Sequence, residues 1–76
     1  MSEHAKIAEE ARVCGLEWAM QVPAGESLPE WNGLTTEDFA AIRAAIGGRA
    51  LTDIEAKIAE DAAEAFYRRV RSNRKR

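Results

Sequence analysis

The sequence predicts an all-α fold, a small three-helix domain with a Pro/Gly connector at residues 23–33 and a basic C-terminal tail. Three observations carry that reading. Apolar residues recur at spacings of three and four in separate stretches of the chain. Capping residues stand where those stretches begin, and glycine or proline where they end. Nothing alternates with period two over a useful length, so no strand is assigned. A chain of 76 residues has room for one domain, assigned to residues 1–70, with 71–76 as a tail that need not be ordered.

The first helix is expected over about residues 3–21, where Pro23 stops it. Ile7, Ala11, Cys14 and Trp18 follow a 4-3-4 spacing and share a narrow stripe. Val13, Leu16 and Met20 fall on the nearly opposite side. A helix with two apolar sides has to be covered twice, so it is either the central element of the domain or a contact between molecules. Gly15 lowers helix stability by about 1 kcal/mol relative to alanine unless another backbone comes close. Its place beside Cys14 favours that close approach.

The connector contains Ser27-Leu28-Pro29-Glu30, which has the form of a capping box and predicts one short turn of helix lifting Leu28 and Trp31 onto the body. Asn32-Gly33 reads as a turn. The second helix, residues 36–46, starts at Thr35-Thr36-Glu37-Asp38, presents Phe39, Ile42 and Ile46 on one side, and ends at Gly47-Gly48 through a left-handed cap. The third, residues 53–71, opens with the capping box Thr52-Asp53-Ile54-Glu55. Its apolar side is read as Ile54, Ile58, Ala62, Ala65, Phe66 and Val70.

Composition narrows the function. Hydrophobic residues make up 46% of the chain, but 15 of them are alanine, so few large side chains remain to fill a core. A partner or self-association is therefore expected. Residues 1–67 carry 5 basic and 13 acidic side chains, a net −8, whereas residues 68–76 carry six cations and no acid. One cysteine rules out an internal disulfide, and one histidine leaves no Cys/His cluster for zinc. No apolar run approaches the length of a membrane span, and the first residues lack the pattern of a signal peptide. Cytoplasmic location, no cofactor, no metal and no membrane are the resulting expectations.

Catalytic groups are sparse. Cys14 lies within an apolar stripe, where a thiol is buried and inert rather than nucleophilic. The acidic groups Glu9-Glu10 and Glu60-Asp61-Glu64 read as solvated faces, with no cleft signature or Gly-rich loop beside them. Gly47-Gly48 follows a helix and precedes no Gly-Lys-Ser/Thr, so it is not a phosphate loop.

The leading expectation is a non-enzymatic module that binds a protein or a second copy of itself. Val13, Leu16, Met20 and Trp31 would supply apolar anchorage, with Glu9, Glu10 and Glu17 steering toward a basic partner. A small, acidic, catalytically bare chain fits an inhibitor of nucleic-acid machinery of the kind found in phages and mobile elements, acting by occlusion. The alternative is a nucleic-acid-associated factor gripping phosphates through Arg68, Arg69, Arg71, Arg74, Lys75 and Arg76. Leu16→Glu is expected to disrupt self-association more than folding.

Overall fold

The computed structural model describes residues 3–74, together with all their side chains except that of Arg74. Three helices form, α1 (Glu3–Met20), α2 (Thr36–Ala45) and α3 (Asp53–Arg74), with no strand among the described residues. Local chemistry sets their ends. Thr35 caps α2 by accepting from the Asp38 amide, while the Asp38 carboxylate accepts from the Thr35 amide. Thr52 and Glu55 make the same reciprocal pair at the start of α3. At the end of α2, Gly47 and Gly48 adopt φ of 89° and 87°, and the Gly48 amide returns to the Arg43 carbonyl at 2.8 Å. Side-chain-bearing residues rarely take that backbone conformation.

Helix α1 is the central element and packs on both others. It runs parallel to α3. Arg49 bridges Glu3 and Glu55 at one end, Gly15 meets Ala63 midway, and Ala19 shares a cluster with Tyr67 at the other. The Gly15 approach is close. A Cβ built there would lie 2.9 Å from the Ala63 carbonyl oxygen, so only glycine lets the two backbones meet. Helix α2 runs back between the ends, with Asp38 at its start bonded to Trp18 near the end of α1.

A ten-residue helix spans about 15 Å, too short to cover α1 and α3 along their length. The core divides accordingly. One part holds Ile7, Ala11, Cys14, Ile42, Ile46, Ala59 and Ala63, closed by α2. The other holds Ala19, Leu28 and Tyr67, closed by the connector. Residues 28–34 run antiparallel along α3. Arg71 Nε donates to the Leu28 carbonyl and the Tyr67 hydroxyl to the Pro29 carbonyl, both at 3.0 Å, while the Leu34 amide donates to Glu60 at 2.9 Å.

Three expectations need correction. No helical turn forms at Ser27–Glu30. Pro29 disfavours the helical conformation at Leu28, and the carbonyls of both residues are taken by α3 rather than by a local turn. The fully buried side of α3 is Glu55, Ala59, Ala63 and Tyr67. Of the expected stripe, Ile58, Ala62 and Val70 pack partly buried beside it, whereas Ile54, 69% exposed, and Ala65 face outward. Helix α3 also continues to Arg74, so the first four tail residues are helical.

Candidate partner-binding face

Sorting α1 by side-chain size reverses the usual order of burial. Facing inward are Ala11, Cys14, Gly15 and Ala19, with Ile7 the one large aliphatic among the buried residues. Facing outward are Val13, Leu16 and Met20, at 44%, 40% and 70% exposure. Small residues inside let α1 and α3 approach closely, as the Gly15–Ala63 contact requires. The large apolar side chains are left on the surface as a consequence. At about 100° per residue, positions 13, 16 and 20 lie within roughly 60° of one another.

The two flanks of that stripe differ in charge. On one side stand Glu17, exposed, and Glu10, half-buried, with Glu9 exposed at the end of the stripe itself. On the other, Arg12 lines a shallow recess of about 230 Å³ with Ala62, Ala65, Phe66 and Arg69 of α3. Arg12 and Arg69 are exposed, and no ion pair found among the described residues engages either one. Nothing in the sequence announced this recess, because Arg12 and Phe66 are far apart in the chain and meet only through the parallel packing of α1 and α3.

Trp31 belongs to the fold as much as to the surface. It is half-buried, its ring 5.0 Å from that of Tyr67, and its indole nitrogen is buried without a hydrogen-bond partner. The cations of the tail are already divided. Arg68 pairs with Glu64, and Arg71 holds the Leu28 carbonyl and lies 3.7 Å from Glu30. Arg69 faces the recess. Lys75, Arg76 and the Arg74 side chain lie outside the described residues.

Two polar clusters lie elsewhere, and both serve the fold. The Asp38 carboxylate accepts from the Trp18 indole at 2.8 Å and from the Thr35 amide at 3.0 Å, and Cys14 is hydrogen-bonded to it. Burial would raise the Asp38 pKa, but the bonds from Thr35, Trp18 and Cys14 outweigh it and hold the carboxyl below its ordinary value. Burial, followed by the charges of Asp38 and Glu17, pushes the Cys14 thiol up to about 11. That setting disfavours the thiolate a nucleophile needs. At the opposite end Glu55, only 5% exposed, receives two bonds from Arg49, at 2.8 and 2.6 Å, and one from the Thr52 amide. The Arg49 bonds first, then that from Thr52, bring its carboxyl down to about 2.

Among the described residues no group of three or more His, Cys, Asp or Glu is placed to hold a metal, and no helix is long and apolar enough to cross a membrane. No protein-family model, characterised protein or solved structure matches the chain.

Proposed function

We propose that this protein is a non-enzymatic binding module and that the outward face of α1 receives a protein partner. The observation that carries the reading is the inverted size order. Burying a valine, leucine or methionine side chain contributes roughly 1.5–3 kcal/mol, yet α1 turns Ala11, Cys14, Gly15 and Ala19 inward while Val13, Leu16 and Met20 stay outside. A fold short of large core residues gains nothing from that arrangement on its own. It gains when a second surface covers the stripe.

The flanks refine the kind of partner. A purely basic surface would suit Glu9, Glu10 and Glu17 but would meet Arg12 and Arg69 with like charge. A partner offering both signs, with an acidic group toward the recess, fits both flanks. Nucleic-acid binding through the tail has less support, since Arg68 and Arg71 are already engaged by Glu64, Glu30 and the Leu28 carbonyl.

The test is photo-crosslinking in the protein's native cells from benzoylphenylalanine placed at position 20, with position 37 on the exposed side of α2 as control. We expect a discrete adduct from position 20 and none from position 37. No adduct from position 20, or equal labelling from both, overturns the reading.

A further inference from the structure

We infer that the occupant of the α1 face is a second copy of this chain, docked through α1 against α1 in parallel about a twofold axis. The inference rests on the binding-face reading above and names its partner. It comes from the residue types along the stripe and from where the charges fall beside it.

Val13, Leu16 and Met20 are spaced three and four apart, which places them at successive a, d and a positions of a heptad. A β-branched residue at a with leucine at d is the combination that favours two parallel strands. Glu9 takes the preceding d position, where a parallel pair sets it against its own counterpart, so the contact ends at Val13. Only three apolar layers result, too few for an isolated coiled coil, but α1 is already held helical by its packing on α2 and α3.

The flanks select the orientation. Arg12 stands immediately before an a position and Glu17 immediately after a d position, five residues on. In a parallel pair, side chains with that relation face each other across the interface, so Arg12 of each copy meets Glu17 of the other. An antiparallel twofold pair keeps like flanks together, so the Arg12 flank faces its own kind and Arg12 never meets Glu17 across the interface. Parallel docking satisfies both charges and antiparallel docking satisfies neither.

The recess adds an independent fit. Because Gly15 lies against Ala63 and Ala19 clusters with Tyr67, residues 62–66 of α3 run alongside residues 14–18 of α1. Arg12 and Arg69 stand at the two ends of the recess, over the apolar floor of Ala62, Ala65 and Phe66. In a parallel, in-register pair the second copy's Glu17 lies level with Ala65, between the two arginines. Its carboxylate supplies the acid that neither arginine finds among the described residues.

Sedimentation equilibrium of the intact protein, with charge variants at exposed positions, tests this. We expect wild type to reach the mass of two chains. Arg12→Glu and Glu17→Arg should each weaken the dimer about ten-fold at unchanged helicity, and their equimolar mixture should recover wild-type affinity by forming a heterodimer. Leu16→Cys should oxidise to a covalent dimer, since a parallel pair sets position 16 against itself. The mass of one chain at every concentration up to about 1 mM overturns the inference, as does a dimer indifferent to both charge variants or one that fails to cross-link at position 16. Photo-crosslinking from position 20 separates that failure from failure of the binding-face reading. An adduct with a different protein removes only the second copy, and no adduct removes both.

Discussion

The two sides of α1 obey opposite rules. Its inward side is small, with Ala11, Cys14, Gly15 and Ala19 buried against α2, α3 and the connector. Its outward side is large, with Val13, Leu16 and Met20 exposed. The difference teaches that α1 and α3 are joined by close backbone approach at Gly15 and Ala63, with the large buried side chains Ile7, Ile42, Leu28 and Tyr67 filling the core around that contact. Such packing keeps dispersion contacts dense at small cost in side-chain entropy. It also frees the bulky residues for use outside the monomer.

Gly15→Val should break the inward side most severely. The added Cβ meets a backbone carbonyl at 2.9 Å, which cannot rotate away, so α1 and α3 must separate. We expect a loss of roughly 3 kcal/mol or more in urea unfolding, despite the general helix penalty of glycine. Leu28→Ala should follow at about 2–3 kcal/mol, because Leu28 is 2% exposed and anchors the connector over the second core. Tyr67→Phe should cost about 1 kcal/mol by leaving the Pro29 carbonyl without its donor. Equal stability of Leu28→Ala and wild type would mean that the connector is no part of the core.

Acid should loosen the end where Arg49 ties α1 to α3. The folded Glu55 carboxyl, at about 2, lies below its ordinary value near 4.5, so its contribution is fully present above pH 4.5 and declines as pH falls toward 2. Asp38, also depressed, acts in the same direction. Thermal melts from pH 7 to 2 should show Tm falling through that window. Glu55→Gln should lower Tm at pH 7 and flatten the acid dependence. An unchanged slope would remove Glu55 from the list of stabilising contacts.

Much of the architecture was readable from the sequence, because it rests on local signals. Thr35 with Asp38, Thr52 with Glu55, and the glycine pair at 47–48 act within a few residues of themselves, and each does what its residue type predicts. The inward stripe of α1 was legible for the same reason. Ile54 misdirected the reading of α3, since periodicity weighted by size centres the buried side on the larger residues, whereas Ala59, Ala63 and Tyr67 lie at its centre and Ile58 only at its margin. The connector's path was hidden because its hydrogen bonds go to Glu60, Tyr67 and Arg71, far along the chain. At the candidate face Val13, Leu16 and Met20 were visible as a second apolar side. The recess between Arg12 and Arg69 exists only once two distant helices lie parallel.

The outward side should matter least to the isolated chain. The triple variant Val13→Gln, Leu16→Gln, Met20→Gln tests this directly, because glutamine preserves helix propensity while removing the apolar stripe. Its unfolding free energy is measured at a concentration low enough for a single chain. We expect agreement with wild type within about 1 kcal/mol, together with loss of association at high concentration. A loss of several kcal/mol in the single chain would contradict this, by placing the three side chains in the monomer's own core.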